Sequence, residues 1–189
     1  MSYNLTLESK LRHNPLSQEI PMSSFKFALE ASKPEIVATG GTGREATKTT
    51  FPALDGMAIF SLRLEPGAVR IPHWHPNANE LDYVVEGRAE FKLVGPTNAK
   101  NPVITSFEVR KGEIGFIPQA WFHSIRNPGP GELHILVIFN SDEPQDIGIS
   151  IGLGGMSPVD LAETLGAPAK VFADFRQDIE FIAPQDPKG

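Results

Sequence analysis

The stretch from Gly67 to Gly87, GAVRIPHWHPNANELDYVVEG, carries two histidines one residue apart and a glutamate five residues after the second. His73 and His75 point to the same face of a strand, because side chains alternate along β-structure with a period of two. Glu80 follows a short Pro-Asn-Ala-Asn connection at the start of the next apolar segment, so a neighbouring strand can return it to the same cavity. We therefore interpret the two histidines as a bidentate clamp with the glutamate close by.

A second stretch, GEIGFIPQAWFHSIRN at residues 112–127, supplies another histidine, His123, at the start of a later strand. A β-barrel places distant strands side by side, which would bring His123 to His73, His75 and Glu80. Three neutral imidazoles and one carboxylate suit a divalent transition metal such as Mn, Fe, Ni, Cu or Zn. A divalent ion and one carboxylate leave one positive charge, and this predicts affinity for a small carboxylate.

Short apolar runs separated by glycine and proline turns predict an all-β fold. Alternation is clearest from Ala58 to Leu64, where Phe60 and Leu62 share one face and Ser61 lies on the other. About seven or eight strands at such spacing are typical of an antiparallel jelly-roll sandwich or barrel. In addition to the strand that carries the paired histidines, the predicted strands are 58–64, 81–86, 89–94, 103–110, 114–117, 122–126 and 133–139.

The two ends of the chain differ in pattern from this β-rich centre. Ser157 followed by a proline predicts the start of a helix, which Gly166 would end. The sequence thus divides into an N-terminal arm at 1–24, a barrel at 25–156, and a C-terminal helical segment and tail at 157–189.

Composition restricts the class of function. The 189 residues carry a net charge of −6, which argues against nucleic acid as a partner because such binding depends on lysine and arginine neutralising phosphates. No cysteine is present, which excludes disulfides, thiolate metal sites and cysteine nucleophiles. Neither an export signal nor a membrane span is visible, so we predict a cytoplasmic protein with no membrane partner.

The spacings in the two stretches are the strongest indication of family. Residues 67–87 fit G-x5-H-x-H-x4-E-x6-G, and residues 112–127 fit G-x5-P-x4-H-x3-N. These patterns resemble the two motifs of the cupin superfamily, and the resemblance implies a cupin jelly-roll β-barrel with His73, His75, Glu80 and His123 as metal ligands. One position departs from the second motif. Ala120 stands where glycine is usual, an exchange that costs little unless the turn needs a positive φ.

The resemblance is closest to the oxalate decarboxylases, especially their second cupin half, over roughly residues 25–175. It implies a single-domain enzyme that uses Mn²⁺ and O2 to convert oxalate, or a similar small carboxylic acid, to formate and CO2. Arg70 matches the family's substrate-binding arginine, although simple alternation would place it on the opposite face from His73 unless Pro72 perturbs the strand. The segment that matches the family's lid holds Asp146 at the place of the proton-donating glutamate, and a shifted alignment would instead use Glu143.

The sequence alone leaves three points open. Asp82, two residues beyond Glu80, is a second inward-facing acid that could bind substrate, or else an exposed acid at the barrel mouth. The same four ligands would also serve a cupin oxidase or dioxygenase, or a binding protein without catalysis. Cupins of this kind commonly form homo-oligomers, and apolar residues on both faces of 81–85 are consistent with a dimer or hexamer interface.

Overall fold

The computed structural model describes residues 25–96, 103–173, 175 and 181–185. The predicted N-terminal arm lies outside these residues. The described strands are β1 (Ile36–Ala38), β2 (Gly41–Ala46), β3 (Ala58–Leu64), β4 (Val69–Trp74), β5 (Glu80–Glu86), β6 (Arg88–Val94), β7 (Ile104–Arg110), β8 (Ile114–Ile117), β9 (Phe122–Arg126), β10 (Leu133–Phe139), β11 (Ile147–Gly148) and β12 (Ile182–Ala183).

The strands form two antiparallel sheets. The first sheet has the order β1-β2-β3-β10-β5-β8, and the second has the order β11-β4-β9-β6-β7, with β12 also paired to β4. Sequence neighbours such as β4 and β5 therefore lie in different sheets, as a jelly roll requires. The predicted all-β jelly roll is confirmed, and within the described residues its strands pair as two sheets and not as one continuous cylinder.

The core lies between the two sheets. Strand β10 shows why: its leucine, isoleucine, valine and phenylalanine side chains alternate toward the interior, and Leu133 and Ile135 are fully buried. From the other sheet, Phe91 and Ile125 fill the same space. Burying one such side chain stabilises the fold by roughly 1.5–3 kcal/mol, so this core fixes the sheets that carry the site.

Two short α-helices follow the sheets, α1 (Ile149–Gly154) and α2 (Pro158–Leu165). Helix α2 begins as predicted, because the Ser157 hydroxyl accepts a hydrogen bond from the Val159 amide at 3.2 Å, and it ends at Gly166 with a φ of 67°. Helix α1 was not predicted from the sequence. Neither helix has the length and apolar character that a membrane-spanning helix needs.

Candidate metal centre

Two neighbouring strands bring the histidines together. His73 on β4 is the direct register partner of His123 on β9, and their ring centroids are 4.0 Å apart. His75 follows immediately after β4, with its ring centroid 4.9 Å from that of His73. The predicted clamp thus receives its third imidazole from the adjacent strand.

Glu80 reaches the same point from the opposite sheet. The connection after His75 crosses between the sheets, and Glu80 is the first residue of β5. Its Oε2 atom lies 3.0 Å from Nε2 of His75 and 3.2 Å from Nε2 of His123. One ligand atom from each of the four buried residues lies within 4.8 Å of the other three.

Backbone carbonyls orient all three imidazoles. Nδ1 of His73 donates to the Ile71 carbonyl at 2.7 Å, and Nδ1 of His123 donates to the Trp121 carbonyl at 3.0 Å. Nδ1 of His75 donates to the Gln145 carbonyl at 2.7 Å. In a neutral imidazole whose proton is on Nδ1, the Nε2 atom keeps a free lone pair, and this is the arrangement that metal-binding histidines show.

The donor atoms fit a divalent cation. Oε2 of Glu80 and Nε2 of His123 are buried and have no hydrogen-bond partner among the described residues. Unprotonated imidazole nitrogens and an ionised carboxylate are all acceptors, so their close approach is unfavourable unless a cation lies between them. The chemistry of the four side chains therefore suits a bound metal ion.

The charge states of these groups agree with that role. Burial, and then the charge of Arg70, hold the pKa of His73 well below its usual value. Burial opposes ionisation of Glu80, but positive charge beside its carboxylate, carried by His123 and His75 when they are protonated or by a bound cation in place of those protons, holds the pKa of this carboxyl well below its usual range. At neutral pH a neutral imidazole and an ionised carboxylate therefore face each other.

A β-bulge turns Arg70 into the cavity. Arg70 pairs with Ile125 and His73 pairs with His123, so three steps along β4 match two steps along β9. The extra residue, next to Pro72, cancels the alternation that would have placed Arg70 outside. Arg70 is 8% exposed and lines the cavity together with His73, His75 and Glu80.

Asp146 lies in the segment after β10 and contacts Arg70 and His73. Its carboxylate forms an ion pair with the Arg70 guanidinium, and its Oδ2 atom lies 3.9 Å from Nε2 of His73. The next two residues form β11, which pairs with β4 opposite Trp74 and His73. The backbone thus fixes Asp146 at the cavity wall.

Glu143 lies elsewhere. Its carboxylate accepts a hydrogen bond from the Thr49 amide at 2.8 Å, its side chain is exposed, and it is not among the residues that line the cavity. Of the two acids that the sequence left open for proton transfer, the structure brings Asp146 to the histidines and leaves Glu143 outside.

Asp82 is fully buried, so the interpretation of it as an exposed acid at a barrel mouth is wrong. It follows Glu80 on the inward face of β5, is absent from the cavity wall, and neither of its oxygens has a hydrogen-bond partner among the described residues. Burial and the neighbouring charge of Glu80 raise the pKa of Asp82 well above its usual value. Its predicted contact with substrate stays a prediction.

Asn77 is a residue whose role the sequence did not suggest. Its side-chain oxygen accepts from the Gln145 amide at 2.8 Å, and its side-chain nitrogen donates to the Glu143 carbonyl at 3.0 Å. The loop between two ligands thereby holds the segment that carries Asp146. An asparagine between His75 and Glu80 is a weak signal, because asparagine is common in turns.

Comparisons with known proteins give a family match and several relatives. The family model described as Cupin matches residues 27–165. Oxalate decarboxylase OxdC of Bacillus subtilis (strain 168) is 31% identical over 132 residues, which cover 70% of this chain and 33% of that protein. Oxalate oxidase GF-3.8 of Triticum aestivum is 27% identical over 146 residues, which cover 73% of this chain and 65% of that protein.

The fold is also similar to solved structures. Bacillus subtilis oxalate decarboxylase, in a structure concerned with its Mn(II) centres, superposes with a TM-score of 0.77 and 26% identity. The match covers 85% of this chain and 41% of that one. The chain spans between a third and two fifths of the length of the oxalate decarboxylases that it matches.

Proposed function

Because this chain belongs to the cupin family, we propose that it is a manganese-dependent enzyme acting on oxalate or a similar small carboxylic acid. One observation carries the proposal: one ligand atom from each of the three histidines and from Glu80 lies within 4.8 Å of the others, beside the buried guanidinium of Arg70. Three imidazoles and a carboxylate accept Mn²⁺, and Fe, Ni, Cu or Zn would also fit this donor set. The similarity to a decarboxylase with Mn(II) centres favours manganese.

We propose that His73, His75, Glu80 and His123 hold the ion. A bound Mn²⁺ would supply Lewis acidity and one-electron chemistry toward a coordinated carboxylate, with O2 as the cofactor. The protein contributes an acidic ligand that is ionised at neutral pH and imidazoles fixed in one tautomer by backbone carbonyls.

Arg70 and Asp146 would position the substrate and move its proton. The guanidinium lies at the cavity wall, where it can pair with a substrate carboxylate once Asp146 releases it. When hydrogen oxalate loses CO2, its remaining carbon needs one proton to become formate. Asp146 lines the cavity, with its Oδ2 atom 3.9 Å from Nε2 of His73, and could deliver that proton, whereas Glu143 does not line the cavity.

An oxalate oxidase is the second candidate, supported by the similarity to the wheat oxidase. Without proton delivery to carbon, oxalic acid and O2 would give two CO2 and H2O2. Asp146 is one methylene shorter than the family's glutamate, and its carboxylate is engaged by Arg70, so delivery to the carbon is less direct. The same ligand set would also serve a cupin dioxygenase acting on an aromatic or keto substrate, or a metal-binding protein without catalysis.

One assay separates these candidates. Protein loaded with Mn²⁺ is incubated with oxalate and O2, and formate, CO2 and H2O2 are measured. The decarboxylase proposal predicts equal formate and CO2 without net consumption of O2. H2O2 with CO2 would instead identify an oxidase, and no product from oxalate or a similar acid would contradict both.

We also propose that the chain forms a homo-oligomer, either a dimer or a hexamer. The outer face of the first sheet supports this, because Tyr83, Ile114 and Phe116 are exposed there as neighbouring apolar side chains. Light scattering of the wild type and of Phe116→Asp tests the proposal, and a monomeric wild type would contradict it. The cytoplasmic location and the absence of a nucleic-acid or membrane partner stay predictions from the sequence.

A further inference from the structure

The cavity at the metal centre is larger than oxalate requires. Its volume is about 270 Å³. Oxalate has six non-hydrogen atoms, and even at about 30 Å³ each, the share of a water molecule in the liquid, they would fill only about two thirds of this volume. Bonded atoms take less space, so a substantial part of the cavity would stay free.

Most of the wall around the free part is apolar. At the metal end the wall consists of Arg70, Asp146 and three of the four ligand side chains, His73, His75 and Glu80. Beyond them the wall is formed by hydrophobic residues of both sheets and of the segment at 181–185: Phe60, Leu62, Ile125, Val137, Phe139 and Phe181.

These apolar walls begin directly at the polar groups. The ring of Phe139 meets the imidazole of His75 edge-on at 4.7 Å, and the ring of Phe60 meets that of Phe139 at 5.4 Å. On the other side, the Arg70 guanidinium lies 5.2 Å from the ring centroid of Phe181. A ligand with its carboxylate at Arg70 would therefore place its carbon chain against aromatic side chains.

Two acids also line the cavity. Glu35 is exposed and Glu45 is half-buried, and neither forms an ion pair within the described part of the chain. Burial, together with the charges of Glu35 and Glu143, raises the pKa of Glu45. Further negative charge beside these two side chains would be repelled, so a ligand with a second carboxylate next to them is disfavoured.

We propose that the ligand of this cavity is a monocarboxylic acid with an apolar body of several carbons. The proposal rests on the proposed function, since it takes the metal and Arg70 as the carboxylate end. It narrows the substrate class from small carboxylic acids in general to those with an alkyl or aryl substituent, and it disfavours the longer dicarboxylates.

Calorimetric binding of acetate, butanoate and hexanoate to the metal-loaded and metal-free protein tests the chain length. Each buried methylene should strengthen binding about fourfold, the equivalent of ~0.8 kcal/mol. Hexanedioate has the same chain length as hexanoate and a second carboxylate, so it tests the effect of Glu35 and Glu45. It should bind at least tenfold more weakly than hexanoate. Affinity that is flat or falls from acetate to hexanoate would overturn the proposal, as would hexanedioate binding as tightly as hexanoate.

Two variants locate the binding. Val137→Phe fills the apolar part and should weaken hexanoate at least tenfold while leaving acetate unchanged. Glu45→Gln keeps the shape of the side chain and should raise the affinity for hexanedioate several-fold without changing that for hexanoate. If Val137→Phe does not fold, the affinities of Glu45→Gln for hexanedioate and hexanoate still test the proposal.

The outcome is distinct from that of the proposed function. Stoichiometric metal and rapid oxalate turnover without hexanoate binding would refute the inference and leave the proposed function intact. Hexanoate binding to a protein that retains no metal would refute the metal enzyme, while the apolar cavity would still be established.

Discussion

Arg70 and Asp146 are 76 residues apart in sequence, and their side chains form an ion pair at the wall of the candidate metal centre. Arg70 reaches this position through a bulge in β4, and Asp146 through the pairing of β11 with the same strand. The guanidinium that would hold a substrate carboxylate is thus paired with the acid proposed to move the proton. Substrate and Asp146 would compete for it.

Replacement of this acid should separate turnover from metal binding. We expect Asp146→Asn to lower formate production at least about a hundredfold, the range of a lost general acid. Bound metal should be unchanged, because the four ligand atoms do not include Asp146. Glu143→Gln is the matched control, and its product ratio should equal that of the wild type. A larger effect from Glu143→Gln than from Asp146→Asn would reject the assignment.

Asn77 should act as a positioning residue for the segment that carries Asp146. Asn77→Ala removes the hydrogen bonds to Gln145 and Glu143, each worth about 1 kcal/mol, and should speed hydrogen exchange of the Gln145 amide. Turnover should fall about tenfold with unchanged metal content. Asn79→Ala is a control from the same loop, because the Asn79 side chain accepts a hydrogen bond from the Gln119 amide and not from the segment that carries Asp146. Equal exchange at Gln145 in both variants would argue against this role.

Ala120 carries backbone strain that glycine would relieve. Its φ is 64°, in the left-handed region that disfavours residues with a Cβ atom, and its amide donates to the His75 carbonyl at 2.9 Å. Ala120→Gly should therefore raise the free energy of unfolding by about 0.5–1 kcal/mol in urea denaturation, after the entropic cost of glycine. Ala162→Gly in helix α2 should lower it by about 1 kcal/mol. Destabilisation by both would show that strain at Ala120 is absent.

His134 should make the metal-free protein sensitive to acid. It is buried, and its Nε2 atom lies 2.9 Å from the Ser61 hydroxyl. Burial, and then the charge of Arg63, lower the pKa of His134. The unfolded chain therefore takes up the proton first, at about pH 6.5, and stability is lost as the pH falls below that value.

His134→Gln removes the imidazole that takes up this proton, and the glutamine side chain can still form a hydrogen bond with the Ser61 hydroxyl. Its free energy of unfolding should fall less steeply than that of the wild type between pH 7 and pH 5, as measured by denaturation of metal-free protein. Parallel curves for the two proteins would contradict the assignment. The difference between them is the relevant quantity, because the buried His73 contributes in the same direction in both.

Much of the fold was predictable because its strands repeat with a period of two. The bounds of β3, β8, β9 and β10 agree with the predicted ranges, while β5, β6 and β7 differ by one residue at their starts. Strand β2 was missed because its sequence, GTGREA, has only one β-branched residue and no large apolar side chain. Strands β11 and β12 have two residues each, too few for any periodicity.

The site was predictable as far as its residues lie close in sequence or in a recognised spacing. His73, His75, Glu80 and His123 converge as the motif spacing predicts. The direction of Arg70 depends on a bulge, which is set by the pairing of two strands and leaves no signal in the sequence beyond Pro72. The choice between Asp146 and Glu143 depends on the pairing of β11 with β4, which alignment alone does not determine.

Metal content per chain tests the central claim most directly. Wild-type protein and the variants His75→Ala and His134→Gln are incubated with Mn²⁺, dialysed and measured by mass spectrometry, with folding checked by circular dichroism. The proposed centre predicts one ion per chain in the wild type and in His134→Gln. It also predicts a metal affinity at least about a hundredfold weaker in His75→Ala, because losing a ligand should weaken metal binding more than losing a hydrogen bond that supports a ligand. Stoichiometric metal retained by folded His75→Ala would contradict it.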